Sequence, residues 1–316
     1  MSKDLGQEVI DFMFEQLQID EKWSIREERG FKWWAGNLAQ SITVEESKND
    51  LGSDVYKLQA RTGILKNINP DQKFYNLIAE MMRFSTLSGL TFNPDDKSRL
   101  EMVTTMWVHD DNRPLVEFFF VMSAIIQNVE AHIMANMYSE SFSAEIDESA
   151  HPTSGLREET DGMLEIITDV IRPKGEAPSS WLGDEMDGLR NLINNAPDWF
   201  SMGDESSLSA EYPYPGDTSL LTISTSESNP RLGNGLLVLL KTRKGDPDGK
   251  TALDWNFNDH YGEKPLQSFG SWCVSETGLT YTSFLPNAMF KMGATANVGL
   301  WMMQKLMYLH TKELDY

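Results

Sequence analysis

Residues 87–138 read as two short strands followed by a long apolar helix, and the same order returns at 266–312, with strands near 270–275 and 279–285 and a helix at 294–312. A unit that occurs twice confines the chain to folds with two like halves, each closing on strand, strand and helix. The length of 316 residues agrees, since it exceeds the usual single domain and leaves each half enough chain for a core.

The periodicity upstream completes each half. Leu5, Val9, Phe12, Met13 and Leu17 recur at helical spacing and predict an amphipathic helix over 3–18. Three strands follow, around Trp23 and Ile25, at 38–44 and at 56–64, where Tyr56, Leu58, Ala60, Thr62 and Ile64 alternate with Lys57, Gln59 and Arg61. Such alternation belongs to a half-buried strand of an antiparallel sheet. Asn69 and Pro70 supply an N-cap and a first helical position for a helix that buries Phe74, Leu77, Ile78, Met81 and Met82. Strands at 87–92 and 99–109 come next, and Asp111-Asn112-Arg113-Pro114 opens a helix that is apolar almost all round over 116–126. The second half predicts a helix at 184–194, a strand at 208–214, a hairpin of 220–226 with 235–243, and a shortened helical or irregular piece at 251–261. The expected fold class is α+β: two tandem α-β-β-β-α-β-β-α domains at 1–140 and 181–316, joined by a linker at 141–180 that carries one short helix at 163–171.

Charge restricts the partners. With 27 Lys and Arg against 48 Asp and Glu, the net charge of −21 repels phosphate backbones and anionic membranes, so no nucleic-acid or membrane partner is expected. A basic protein or peptide suits this field. Cys273 is the one cysteine, which excludes an internal disulfide and a cysteine zinc site and fits the cytoplasm. The first 18 residues carry Asp4, Glu8, Asp11 and Glu15 in place of a basic then apolar leader. The apolar run at 118–126 is far below the ~20 residues of a membrane helix, so a soluble protein is expected.

No motif brings chemistry. Gly245-Asp-Pro-Asp-Gly249-Lys250-Thr251 has three residues where a phosphate loop has four, and Asp246 and Asp248 would face the phosphates; it reads as a turn. His109, His132, His151, His260 and His310 show no metal-ligand spacing. His109 beside Asp110 and Asp111, and His260 beside Asp259, could form acid–base pairs if the fold supplied a nucleophile, whereas His132 and His310 suit the ends of their helices as partly charged groups. No catalytic, cofactor or metal site is assigned. Trp33 and Trp34 are neighbours in one strand and must point to opposite faces, so one needs a cover outside the core. Trp301 and Met302 lie in a methionine-rich last helix with Met303 and Met307. These four, Trp33, Trp34, Trp301 and Met302, are the candidate protein-binding residues, with core filling as the alternative.

The order helix, three strands, helix, two strands, helix, in a small acidic domain, resembles the type III secretion chaperone fold shared by Tir-chaperone and YbjN-like proteins. The resemblance covers residues 3–138 and, less fully, 184–312. It implies a curved antiparallel sheet with helices on its faces and domains that pair as homodimers, so the chain could be a single-chain pseudo-dimer or a homodimer, with the 116–126 helix at the seam. The expected function is non-enzymatic: a chaperone-like or scaffolding protein that holds a polypeptide segment. The alternative is a hydrolase assembled from scattered His, Asp and Glu residues.

Overall fold

The structure, a computed structural model, describes residues 4–48, 52–171, 178–196, 199–214, 217–242, 247–276 and 278–313. In chain order the helices are α1 Leu5–Gln16, α2 Gln72–Met81, α3 Arg113–Phe142, α4 Gly162–Ile171, α5 Asp184–Asn194, α6 Gly249–Tyr261 and α7 Ala294–Glu313. The strands are β1 Ser24–Glu27, β2 Gly30–Trp34, β3 Ala39–Lys48, β4 Asp54–Lys66, β5 Gly89–Phe92, β6 Leu100–Val108, β7 Glu145–Ile146, β8 Phe200–Gly203, β9 Ser207–Tyr214, β10 Asp217–Ser224, β11 Ser228–Asn229, β12 Gly233–Thr242, β13 Ser271–Ser275 and β14 Gly278–Pro286. The fold is α+β with two antiparallel sheets. Each sheet begins with four strands where the expected order counted three: β2, the strand that holds Trp33 and Trp34, and β8 are the additional ones.

Unit 1 comprises Met1–Leu77, Leu87–Asp169 and Leu253–Phe269. Its sheet runs β1-β2-β3-β4-β6-β5, with β7 added beside β4. The inner face is set by the even residues of β4 and β6, against which α3 packs, with α1 over β3 and β4. Gly6 lets α1 sit close to this face: a Cβ there would lie 2.4 Å from Val44 Cγ2 and 2.7 Å from Tyr56 Cβ. α2 starts two residues later than Asn69-Pro70 suggests, because Asp71 is the residue whose side chain accepts the Phe74 N–H at 2.8 Å. Of the helices among the described residues, only α3 is long and apolar enough to cross a membrane, and 72% of its most apolar stretch is buried within the protein.

A polar knot ties α3 to the sheet. Gln127, fully buried, donates to Ala60 O at 3.0 Å and Thr104 Oγ1 at 3.2 Å and accepts from Gln40 Nε2 at 2.9 Å and Thr62 Oγ1 at 3.1 Å. Gln40 also donates to Ala124 O at 2.8 Å. One turn beyond, His132 is largely buried beside Gly36, and burial pushes its pKa below the ordinary 6.5. The imidazole is therefore a neutral packing group, not the partly charged one its place in the helix suggested.

The segment expected as linker is, through Asp169, part of unit 1. After Ser143 closes α3 in the left-handed conformation, the chain crosses the outer face of the sheet as a strap. Asp147 N–H donates to Ile64 O at 3.1 Å, Ser149 N–H to Asn37 O at 2.9 Å and Asp161 N–H to Ala35 O at 2.7 Å. Polar composition reads as a linker, but these bonds are made by backbone atoms and place no demand on side-chain type.

Unit 2 comprises Ile78–Thr86, Val170–Ala252 and Gly270–Tyr316. Its sheet runs β13-β14-β12-β10-β9-β8, and β11 pairs with β12. The expected hairpin of β10 with β12 forms, but its loop spans 225–232 and the Gly233-Asn234-Gly235 stretch lies within β12. Leu236, Val238 and Leu240 are buried while Leu237 and Leu239 are half-buried, so the run is not equally covered on both faces. α7 packs on α5 and β10, with Gly299 against Leu189, and the Glu185 carboxylate accepts the Gly293 N–H at 2.6 Å and the Thr295 N–H at 3.3 Å at its start. The piece at 251–261, weak in sequence, is a full helix, α6, opened by Asp248, which accepts the Thr251 N–H at 2.8 Å. Residues 243–246, 172–177 and 49–51, which include the start of the Gly245 turn, part of the expected linker and most of the expected turn at 49–53, lie outside the described residues.

Candidate binding groove

The outer face of the unit 1 sheet carries the odd residues of β3, β4 and β6. Lys57, Gln59, Arg61 and Gly63 run along β4, with Ser41, Thr43 and Glu45 on one side and Glu101, Thr105 and Trp107 on the other. This is the polar half of the alternation read in the sequence, but it is not open to solvent throughout. Residues 253–269 cover one end, where His260 O accepts from Gln59 Nε2 at 2.9 Å and Gly262 O from Lys57 Nζ at 3.3 Å. The strap covers the other end, where Arg99 grips Asp147 through Nη2 at 2.7 Å. Gly63 permits this crossing, since a Cβ there would lie 2.2 Å from Asp147 Oδ2.

Between the covers lies a groove. A cleft of about 580 Å³ is lined by Arg29, Thr43, Glu45, Lys57, Gln59, Arg61 and Tyr261, with Glu27 and Glu28 at its rim. It adjoins, through Arg61, a smaller one of about 200 Å³ beside Lys32, Glu101 and Asp147, and, through Lys57 and Glu45, one of about 380 Å³ beside Trp107 and Lys264. Each cleft has three basic and three acidic side chains, a local balance in a chain of charge −21. Among the described residues, Lys32, Lys57 and Arg61 form no ion pair, and Arg61 Nε is buried without a hydrogen-bond partner. Burial, with the nearby Arg61 charge adding to it, pushes the Lys57 pKa below its usual 10.5 against the pull of Glu45. A groove with cations of this kind on its floor is equipped to bind carboxylates and backbone carbonyls.

Glu101 is the most perturbed acid here. It is 5% exposed, accepts from Tyr261 Oη and from Asn93 Nδ2, the latter at 3.1 Å, and burial raises its pKa above the ordinary 4.5 although Arg61, Asn93 and Arg99 oppose the rise. The folded state thus holds the proton more tightly than the unfolded one, so the contribution of Glu101 to stability is complete below pH 4.5 and is lost as pH rises through its folded value. Glu101→Gln is expected to gain stability relative to the native chain on going from pH 4.5 to neutrality, measured by chemical denaturation across that range. A difference that stays flat with pH would contradict the assignment.

The four residues chosen from sequence do not lie in this groove. Trp33 faces the inner core and Trp34 the outer face, as their adjacency requires, but both are only 1% exposed. The strap is the cover that Trp34 needs: its ring meets His151 edge-on at 4.8 Å and its Nε1 reaches Ser149 Oγ at 3.3 Å. In unit 2, Trp301 is 7% exposed and Met302 fully buried on α7. All four are buried in this structure.

Among the described residues the histidines do not gather either. His260 is fully buried, with Nδ1 3.1 Å from Thr105 Oγ1, and His109 is half-exposed, 3.9 Å from an exposed Asp111. The Cys273 thiol is buried and its pKa is pushed up to about 11, which leaves it protonated and unreactive at neutral pH. Among the described residues no three His, Cys, Asp or Glu side chains meet where they could hold a metal ion. The sequence matches no protein-family model and no curated protein.

Proposed function

We propose that the chain is a non-enzymatic, chaperone-like protein that holds an extended polypeptide segment in the outer-face groove of unit 1, and that its two units are tandem copies of a type III secretion chaperone-like domain. The likeness of the halves is supported by strand order: β1-β2-β3-β4-β6-β5 and β8-β9-β10-β12-β14-β13 are the same path, with α1 and α5, α2 and α6, and α3 and α7 in corresponding places.

The observation that carries the binding reading is the groove floor, on which Lys32, Lys57 and Arg61 form no ion pair while an equal number of acids lines each cleft. A small-molecule site is mostly apolar and enclosed, whereas a mixed-charge, open trough suits a chain with both signs of charge and many backbone carbonyls. The field of −21 favours encounter with a segment of net positive charge, whose own carboxylates then meet Lys57 and Arg61. The alternative hydrolase reading needs His109 or His260 in a pocket with carboxylates and a hydroxyl; His260 is fully buried against Thr105 Oγ1 and His109 is half-exposed beside an exposed Asp111, which favours the binding reading. Short peptides of mixed, all-basic and all-acidic charge, followed by fluorescence anisotropy, test the proposal. The mixed peptide is expected to bind best, and Lys57→Glu with Arg61→Glu to weaken it about tenfold or more, roughly 1.4 kcal/mol. Equal binding by the reversed-charge variant would refute the groove as the site.

A further inference from the structure

Each unit is completed by a stretch from the other half of the sequence. Residues 253–269 belong to unit 1 although they follow the linker, and residues 78–86 belong to unit 2 although they precede it. The two stretches occupy the same place in the element order, running from the middle helix to the edge strand that follows: α2 to β5 in one half and α6 to β13 in the other.

Their attachments also correspond in register. In unit 1, Gly89 opens β5 opposite Val103, and in unit 2, Ser271 opens β13 opposite Thr282. Ser268, three residues before Ser271, exchanges both backbone bonds with Thr105, at 2.9 Å each, and Thr105 lies two residues beyond Val103. Thr86, three residues before Gly89, accepts the N–H of Phe284 at 3.1 Å, and Phe284 lies two residues beyond Thr282. The same backbone position therefore docks on the same position of the long strand, with the halves interchanged. Side chains reinforce both attachments: Gln267 exchanges bonds with the Trp107 backbone at 2.9 and 2.8 Å, and Arg83 Nε donates to Val274 O at 2.8 Å.

We infer that residues 253–269 and 78–86 are reciprocally exchanged docking segments, so that the partner each half of the chain fits is the other half, and the two units fold and persist as one cooperative assembly. The inference rests on unit composition and register and is independent of what the groove binds. A half on its own would leave the Gln59, Thr105 and Trp107 strip of β4 and β6 without its cover, and would carry a docking segment with nothing to dock on.

The test uses the full chain. A protease site introduced within 172–177 is cut after folding, and the products are followed by size-exclusion chromatography and by hydrogen exchange at Thr105 and Phe284. The cut fragments are expected to co-elute in equal amounts with both amides protected as in the uncut chain. Gln267→Ala and, separately, the exposed Arg83→Ala are each expected to make the cut fragments separate at protein concentrations at least tenfold higher than the unsubstituted pair. Elution of the unsubstituted fragments as separate species overturns the proposal. Co-elution that neither substitution weakens also overturns it, because surfaces other than the exchanged segments would then be holding the halves. Circular dichroism of the two uncut variants separates loss of docking from loss of fold.

Discussion

Gln127→Leu is expected to lower the stability of unit 1 by about 3 kcal/mol, although leucine matches the volume of glutamine and is the better solvent for a core. The substitution removes four hydrogen bonds at once and leaves the Ala60 carbonyl, the Thr62 and Thr104 hydroxyls and the Gln40 amide facing an alkyl group. Each buried group left unsatisfied costs about 1–3 kcal/mol, while Gln40 keeps its bond to Ala124 O and Thr104 Oγ1 its bond to Leu87 O. Chemical denaturation followed by hydrogen exchange over β4 and β6 measures the effect. A loss under about 0.5 kcal/mol would mean that the network contributes no more than an apolar contact. Replacing Gln40, Thr62 and Gln127 together by apolar residues should recover part of the loss, because the Gln40 amide and the Thr62 hydroxyl are then no longer stranded.

Gly63→Ala is expected to cost about 2 kcal/mol and to shift the tryptophan emission toward the red. Its Cβ would stand 2.2 Å from Asp147 Oδ2, with the carboxylate fixed by Arg99 on one side and the Asp147 N–H bond to Ile64 O on the other. The strap must lift, and Trp34 beneath it gains water. Gly63→Ala with Asp147→Ala removes the obstructing carboxylate, so the pair should be less destabilised than the sum of the single changes. Additive losses would show that Gly63 serves local backbone geometry at the β4 irregularity next to it rather than the approach of the strap.

Residue patterns made the α+β class legible, because amphipathic periods of 3.6 and 2 are imposed by local geometry whatever the tertiary partner. The start of α3 at Arg113-Pro114, the span of β6 and the opposite pointing of Trp33 and Trp34 were all readable on that ground. The groove was half legible: Lys57, Gln59 and Arg61 stood out as the polar side of β4, but a polar face reads as solvent unless its covers are known. Glu101 and Tyr261 are 160 residues apart in the chain, so their pairing leaves no local signal.

What the sequence determined by itself was the kind and order of elements, an acidic surface and the absence of recognisable nucleophile, phosphate-loop or metal-ligand motifs. The tertiary structure decided which faces are covered. The strap at 144–161 is held in part by backbone hydrogen bonds, to which nearly any residue can contribute. The segment 253–269 is held by one backbone pair together with side chains such as Asn256, Tyr261 and Gln267, whose partners lie far away in the chain, so local composition cannot distinguish either from linker and loop. For the same reason the halves of the sequence are not the units of the fold. Periodicity records that α2 and α6 each bury one face, but not which long strand the residues after them dock on; bonds such as Thr105 to Ser268 and Phe284 to Thr86 decide that, and residues 253–269 belong to unit 1 and 78–86 to unit 2.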